Sequence, residues 1–271
     1  MKKVAVVAVA VVVILIVVIL GVGLLKKGSL CPVKKGQAQS SNALFEAAKN
    51  AENSGNLLEA KKSYQDILSS AQDNKLISKA QEALYSLNIR IIFSALETDQ
   101  TAFYEVQPKD SLQAIARKFS TTVALIKRSN GLESDIIRPM QRLRIWTGKL
   151  SCIVDKSQNT LTLKSSEEII RVYVVSTGKQ NSTPVGTFTI TSKLENPVWY
   201  KQGAVVLPNS PENILGSRWL GFSLAGYGIH GTTEPETIGQ QITAGCVRMV
   251  NSEVEELYDL LPLGTEVTVI D

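Results

Sequence analysis

Histidine and cysteine are scarce in this sequence, and their scarcity limits the chemistry open to the protein. The 271 residues include one histidine, His230, and three cysteines, Cys31, Cys152 and Cys246. There is no Cys-x-x-Cys pair and no His-Glu-x-x-His motif, the patterns typical of thioredoxin-like redox sites and of zinc sites. The sequence therefore predicts no metal centre.

Glycine-rich phosphate loops and a strongly basic domain are also missing. Neither Gly-x-x-x-x-Gly-Lys nor a Gly-x-Gly-x-x-Gly that follows a strand and opens a helix occurs, which argues against a nucleotide cofactor. Six of the 29 Lys and Arg residues lie before residue 36, where no acidic residue occurs, so 23 basic residues face 25 acidic ones in the remainder. The chain after residue 35 therefore has no excess of basic residues to neutralise nucleic-acid phosphates, and we expect no nucleic-acid partner. From the missing motifs we also expect no cofactor.

Long apolar runs are confined to residues 4–25, where 20 of 22 residues are Val, Ala, Ile or Leu. As a helix this segment would span about 33 Å, against about 30 Å of bilayer hydrocarbon. It is longer than the core of a cleaved signal peptide and lacks an Ala-x-Ala-like exit, so residues 1–27 are predicted to be an uncleaved transmembrane anchor. A cleaved signal peptide stays an alternative, as does a lipoprotein acylated at Cys31, although Leu30 precedes it where a small residue is usual.

The chain after the anchor is first polar and then helical. Residues 28–40 are rich in Gly, Ser, Lys and Gln and predict a flexible tether. Apolar residues recur at helical spacing over residues 41–98, with a break at Ser54-Gly55-Asn56, and predict three helices. Their Ala/Tyr placement resembles a single tetratricopeptide unit. We interpret this region either as a spacer or dimerisation stalk, or as the site of a protein partner.

Residues 103–147 pass from strand periodicity to two short helices and back to a strand. Thr121 or Thr122 is placed to cap the second helix, and Asn130-Gly131 supplies a left-handed exit. The βααβ order and the two terminal motifs resemble a LysM domain; these motifs are Tyr104-x-Val-x-Pro-x-Asp-Ser-Leu112 and Ile136-Ile-Arg-Pro-x-Gln-x-Leu-x-Ile145.

The LysM resemblance implies binding of N-acetylglucosamine-containing glycans in a shallow groove between loops. Lys109 and Met140 stand where the family usually has turn glycines, and both flank the expected groove. A domain that serves only as a spacer is the alternative.

Residues 150–271 are rich in short β-branched or aromatic runs separated by turn residues. One helix is predicted at about 253–261, after a capping Ser252 and before Pro262. We therefore expect a mainly β domain built as a sandwich, which makes the whole chain a multidomain α+β protein.

His230 and Cys246 lie sixteen positions apart within this β domain. An imidazole beside a thiol can remove its proton and later protonate a leaving amine. Gly245 would let the backbone approach a developing oxyanion closely. Taken alone, the two residues are more typical of a buried thiol and a hydrogen-bonded core histidine than of a catalytic pair.

Five motifs around these two residues resemble, in order and spacing, the YkuD-type L,D-transpeptidase catalytic domain. They are Thr183-Pro-Val-Gly-Thr-Phe, Asn196-Pro-Val-Trp-Tyr, Gly216-Ser-Arg-Trp-Leu-Gly, Ile229-His-Gly-Thr and Gly245-Cys-Val-Arg-Met. The resemblance implies a cysteine acyltransferase that acts on peptidoglycan stem peptides without a metal or nucleotide. One departure is Ala244, where many members carry a second histidine.

The resemblance also implies roles for individual residues. Cys246 matches the nucleophile, His230 its general base, and the carbonyl of Gly231 the group that orients the imidazole. Arg248 is placed to meet a substrate carboxylate, with an ordinary surface ion pair as the alternative. The remaining candidates for substrate binding are Thr243, Gly245, Trp199, Tyr200 and Trp219, of which the aromatic residues are equally expected in a core.

The implied activity is cross-linking of stem peptides through a thioester, with peptidoglycan stems and glycan strands as partners. Two alternatives are an L,D-carboxypeptidase that trims tetrapeptides and a catalytically idle wall anchor. Such a substrate places the chain after Lys26 outside the inner membrane, as a single-pass protein. A Cys31–Cys152 disulfide is then permitted, but Cys31 lies in the predicted tether and Cys152 is better interpreted as a small core residue at the start of a strand.

Overall fold

The computed structural model describes residues 35–201, 203–208 and 210–271. Three helices open the described chain: α1 (Lys35–Asn53), α2 (Leu57–Ser70) and α3 (Asn74–Phe93). Their buried stripes form one apolar cluster that includes Ala48, Tyr64 and Leu87. The prediction of three helices is confirmed, but α1 begins at Lys35, so residues 35–40 are helical and not part of a tether.

The next four elements have the predicted strand, helix, helix, strand order. They are β1 (Thr101–Glu105), α4 (Leu112–Lys118), α5 (Val123–Asn130) and β2 (Arg142–Trp146). The two strands pair antiparallel, with Thr101 facing Trp146. A small cluster of apolar side chains, among them Leu112, Ile126 and Leu143, fills the space between the strand pair and the helices.

The residues predicted to begin and end the second helix of this segment do so in the structure. The hydroxyl of Thr122 accepts a hydrogen bond of 2.9 Å from the Leu125 amide at the start of α5, and Gly131 ends that helix in the left-handed conformation. Lys109 and Met140 also have positive φ, 74° and 69°. Both turns thus have a backbone conformation that favours glycine, although Lys109 and Met140 carry long side chains.

The rest of the chain builds one curled sheet of eight strands. The strands are β3 (Leu150–Asp155), β4 (Thr160–Ser165), β5 (Glu168–Val174), β7 (Gly186–Glu195), β10 (Arg218–Phe222), β11 (Gly228–His230), β13 (Val247–Arg248) and β14 (Glu266–Ile270). Their order in the sheet is β13-β11-β10-β7-β14-β3-β4-β5. The longest strand, β7, pairs with β14 through residues 186–189 and with β10 through residues 190–195, so it joins the half of the sheet that contains β14 to the half that contains β10.

Two small strand pairs stand beside this sheet: β6 (Thr177–Gly178) with β12 (Gln241–Thr243), and β8 (Trp199–Lys201) with β9 (Ala204–Val206). The expected sandwich of two stacked sheets is therefore corrected to one continuous sheet that curls on itself. Continuity comes from β7, because its ten residues are long enough to serve both halves.

A ten-residue helix near the end of the chain packs on the eight-stranded sheet and contributes to its core. This helix, α6 (Asn251–Leu260), buries Val254, Leu257 and Leu260 against the strands. It begins two residues before the predicted start, after Val250, and its N-cap makes no side-chain hydrogen bond. The prediction of Ser252 as the cap is wrong.

Two arginines tie the three segments together. The buried Arg144 of β2 donates from Nη1 to the Ile92 carbonyl at 3.0 Å and from Nε to the Leu96 carbonyl at 2.6 Å, at the end of α3. Arg128 of α5 pairs with Asp259 of α6 at 2.9 Å. Buried side chains of all three segments, among them Ile92, Leu125 and Ile170, also pack into one apolar cluster within the unit Ala43–Asp271.

The expected transmembrane segment, residues 4–25, lies outside the described residues, as does Cys31. None of the helices in the described part of the chain is long and apolar enough to cross a bilayer. This finding corrects the prediction of a single-pass inner-membrane protein.

Candidate active site

The sequence motifs containing His230 and Cys246 meet at one edge of the sheet. β11 and β13 pair in parallel, so that Ile229 faces Val247 and His230 faces Arg248. Cys246 immediately precedes β13, and its thiol donates to the Gly226 carbonyl at 3.5 Å, just before β11. The fold thus brings two segments together that are distant in sequence.

The imidazole of His230 is held in one orientation. Its Nδ1 lies 2.6 Å from the carbonyl oxygen of Gly231. Because a carbonyl oxygen can only accept, Nδ1 carries the proton and Nε2 is left with its lone pair. The side chain is 2% exposed, and burial lowers its pKa to about 4, with a further lowering by the charge of Arg248.

Cys246 is half-buried and uncharged at rest. Burial raises the pKa of its thiol, although a backbone N–H from Gly228 and the guanidinium of Arg248 act in the opposite direction. A raised thiol pKa beside a lowered imidazole pKa favours the neutral pair over a thiolate–imidazolium pair. The resting thiol is therefore neutral, and the role of His230 as its general base stays a prediction.

The loop that presents Cys246 depends on Thr243 and Gly245. The Thr243 hydroxyl donates to the Cys246 carbonyl at 2.7 Å and accepts from the Gly245 amide at 3.1 Å. Gly245 has φ +135°, and a Cβ there would lie 2.7 Å from a ring carbon of Tyr227. This position therefore requires glycine both for its backbone conformation and for the close packing of Tyr227.

Arg248 is buried and already paired. Its Nη1 donates to Glu234 at 3.0 Å and to the Thr237 hydroxyl at 3.1 Å, while its Nε has no hydrogen-bond partner among the described residues. Glu234 is thus an ion-pair partner of Arg248, but the pair differs from the surface ion pair named as the alternative because the arginine side chain is buried. Binding of a substrate carboxylate by Arg248 stays a prediction.

The three aromatic candidates have different surroundings. Trp219 faces His230 across the β10–β11 ladder, with ring centroids 6.1 Å apart. Trp199 and Tyr200 belong instead to the β8–β9 hairpin, where Tyr200 is 77% exposed. The structure therefore places Trp219 next to His230 and Tyr200 on an exposed hairpin, and substrate binding by the three aromatic residues stays a prediction.

Sequence reasoning missed two residues that shape the site, Tyr227 and Asn251. Asn251 Oδ1 accepts from the amides of Ser217 and Thr232, and its Nδ2 donates to the Thr232 carbonyl at 2.9 Å. It thereby fixes the turn after His230, and a Cβ on Gly231 would lie 2.1 Å from its Oδ1. Only the position of Asn251 two residues after the Cys-Val-Arg-Met motif hinted at this contact.

Comparison with known proteins places these features in a family. The YkuD family model, described as the L,D-transpeptidase catalytic domain, matches residues 151–269, and the LysM domain model matches residues 104–146. The putative L,D-transpeptidase YqjB of Bacillus subtilis is 42% identical over 125 residues, which cover 44% of this chain and 70% of that protein. The putative L,D-transpeptidase YkuD of Bacillus licheniformis is 32% identical over 174 residues, or 61% of this chain and 97% of that protein.

Among solved structures, an L,D-transpeptidase from Mycobacterium smegmatis matches with a TM-score of 0.40 and 20% identity, covering 48% of this chain and 63% of that one. The chain thus spans less than two thirds of that structure. The fold and the matched domains define a mixed α+β protein with a curled catalytic sheet and a LysM domain. On the strength of the Bacillus relatives, the chain belongs to the L,D-transpeptidase family.

Proposed function

We propose that this protein is a peptidoglycan L,D-transpeptidase that cross-links stem peptides through a thioester on Cys246. The observation that carries the proposal is the oriented, neutral His230, whose free Nε2 lone pair suits a general base. Family membership supplies the reaction class, because the relatives are named as L,D-transpeptidases.

In the first half-reaction, the Cys246 sulfur attacks the carbonyl of the third stem residue as His230 Nε2 takes the thiol proton. The tetrahedral intermediate then collapses, the C–N bond breaks, and the proton on His230 passes to the departing D-alanine amine. A thioester remains. The Gly231 carbonyl stabilises the transient imidazolium by accepting from Nδ1–H.

In the second half-reaction, an amine of a neighbouring stem attacks the thioester, and His230 accepts its proton. The C–S bond then breaks, the proton on His230 passes to the sulfur to regenerate the thiol, and the new amide joins two third-position residues. Because the thioester preserves the energy of the broken amide, no nucleotide is consumed. Water as the acceptor would release a tripeptide instead, which is the carboxypeptidase outcome.

The LysM segment is proposed to hold the glycan strand during this reaction. Ile136 and Met140, on the loop between α5 and β2, are 78% and 73% exposed and offer apolar surface to sugar rings. Sedimentation of the full chain with sacculi tests this role, with a Met140→Asp variant expected to bind more weakly. Equal sedimentation of both proteins would leave the segment as a spacer.

The reaction is tested by mass spectrometry of the full chain incubated with a disaccharide-tetrapeptide, beside Cys246→Ala and His230→Gln variants. We expect an acyl adduct on Cys246 and cross-linked dimers with the parent protein, and neither with Cys246→Ala. An adduct that yields tripeptide alone indicates trimming. Folded protein that binds sacculi and gives no adduct is an idle anchor, and cross-linking by Cys246→Ala excludes the thioester.

A further inference from the structure

Arg248 lies beside the thiol–imidazole pair, on the same face of the sheet as the proposed base. β11 and β13 pair in parallel, with His230 opposite Arg248, and side chains of residues that lie opposite each other in a ladder project from the same face. Cys246 stands two residues before Arg248, a separation of roughly 6.6 Å in an extended chain. The guanidinium is therefore placed to sense charge on a donor whose carbonyl meets Cys246.

A carboxylate of the chain itself already neutralises this guanidinium. The side chain of Arg248 is 7% exposed and pairs with Glu234 at 3.0 Å, whereas the Glu234 side chain is 52% exposed. A buried cation without a partner is strongly unfavourable, so Glu234 compensates for the burial of Arg248. The pair joins the loop after the base to the strand after the nucleophile, and it meets solvent on the Glu234 side.

Most hydrogen-bonding positions of Arg248 are occupied or closed to a ligand. A guanidinium has one N–H donor on Nε and two on each Nη nitrogen. Nη1 donates to the Glu234 carboxylate and to the Thr237 hydroxyl at 3.1 Å, and Nε is fully buried. A substrate carboxylate is therefore left with Nη2, unless it takes the place of Glu234.

This charge balance decides which substrate group suits the position. A carboxylate bound beside Glu234 would bring two like charges to one guanidinium, and like charges at short range repel each other. A carboxamide carries no net charge, and its carbonyl can accept from Nη2 without that repulsion. Without the charge of Glu234, a carboxylate would gain the stronger, charge-assisted hydrogen bonds of a free guanidinium.

We propose that Glu234 sets the charge preference of the acyl-donor site. By holding Arg248 in an ion pair, it lets donor stems with an amidated carboxyl group next to the scissile bond bind as well as stems with a free carboxylate there. The identity of the donor rests on the proposed function; the charge preference rests on the ion pair and on its place beside His230. Glu234 is thus a specificity-determining residue and takes no part in the proton transfers.

The test measures binding by calorimetry in full-length Cys246→Ala protein, in which no acylation follows. The probes are the stem tetrapeptide that ends in D-alanine and the same peptide that ends in D-alaninamide. They differ only in the carboxyl group next to the bond that Cys246 is proposed to break. With Glu234 present, we expect the two Kd values to agree within about threefold. With Glu234→Gln added, the acid should bind about tenfold more tightly than the amide, because one hydrogen bond to a charged group is gained.

Glu236→Gln is the matched control, since it removes the same charge from the same turn at an exposed position outside the ion pair. It should leave the ratio of the two Kd values unchanged, whereas Glu234→Ala, a second variant, should favour the acid as Glu234→Gln does. Four results would each overturn the proposal. They are a tenfold preference for the acid while Glu234 is present, a ratio unaffected by Glu234→Gln, an equal effect of Glu236→Gln, and no binding of either peptide at millimolar concentration.

The reaction itself is followed separately, by adduct formation on Cys246 in protein that keeps its thiol. A preference that depends on Glu234, without any adduct, would refute the thioester and leave this inference standing. An adduct together with an unchanged ratio of Kd values would refute the inference and leave the reaction.

Discussion

The imidazole of His230 stacks on the indole of Trp219, with the ring planes 18° apart and the centroids 6.1 Å apart. The two residues face each other across the β10–β11 ladder. The indole lies on one side of the imidazole ring, and the Gly231 carbonyl accepts a hydrogen bond from Nδ1 at the edge of that ring. We therefore expect Trp219 to act as a positioning residue that helps to keep water from the proposed base.

Replacing Trp219 by Ala should admit water to His230 and raise its pKa from about 4 toward the ordinary 6.5. The chain has one histidine, so proton NMR of untagged protein follows that pKa directly. We expect the acylation rate of Cys246 at pH 6 to fall about tenfold or more, because the base is both misplaced and partly protonated. Trp219→Phe keeps a ring and should lose less; an unchanged pKa in Trp219→Ala would contradict this role.

His230 also makes stability depend on pH. Its pKa is about 4 in the folded protein and 6.5 when exposed, so the unfolded chain binds more protons between these values. Stability is therefore complete above pH 6.5 and is lost as pH falls toward 4, by up to about 3 kcal/mol. Urea unfolding at pH 7 and pH 4.5 should show a smaller difference in His230→Gln than in the parent. Equal differences would disprove the assignment.

Gly245→Ala should lower the free energy of unfolding more than the same substitution at another glycine with positive φ. Its Cβ would lie 2.7 Å from the Tyr227 ring, whereas at Gly264, with φ +85°, no atom lies within 4 Å. We expect a loss of about 3 kcal/mol for Gly245→Ala, with acylation abolished, against about 1 kcal/mol for Gly264→Ala. Urea unfolding and adduct formation measure both; similar losses would mean that Tyr227 moves aside.

Arg144→Met should destabilise the protein by about 3 kcal/mol, since carbonyls at the end of α3 lose charged donors within the core. Arg142→Met is the matched control two positions earlier, where the side chain is exposed and lies over Phe103. That change should cost under about 1 kcal/mol. Thermal or urea unfolding checks the pair, and a mild Arg144→Met would show that water replaces the guanidinium.

Short-range features of this fold could be predicted because neighbouring residues determine them. The Thr122 cap and the left-handed exit at Gly131 follow from local hydrogen bonds and backbone freedom. Helical spacing likewise predicted α2 and α3. The start of α1 at Lys35 was missed, because Gly36 and the polar residues after it were interpreted as a tether.

Long-range features could not be predicted from residue type. The stacking of Trp219 on His230, the packing of Tyr227 on Gly245 and the pairing of Glu234 with Arg248 depend on strand register. The architecture of the sheet is a further example. The strand pattern predicted a sandwich of two sheets, and only the pairing of β7 with both β14 and β10 makes it one sheet. Motif resemblance located Cys246 and His230, but not the contacts that surround them.

β14 has a consequence for how the protein acquires its fold. This strand lies in the interior of the sheet, between β3, which is the first strand of the sheet in chain order, and β7. It is also the last strand of this sheet in chain order, so β3 and β7 each keep an unpaired edge until residues 266–270 have been synthesised. Synthesis would therefore complete the sheet in one late, non-local step, in which an early strand closes on a late one.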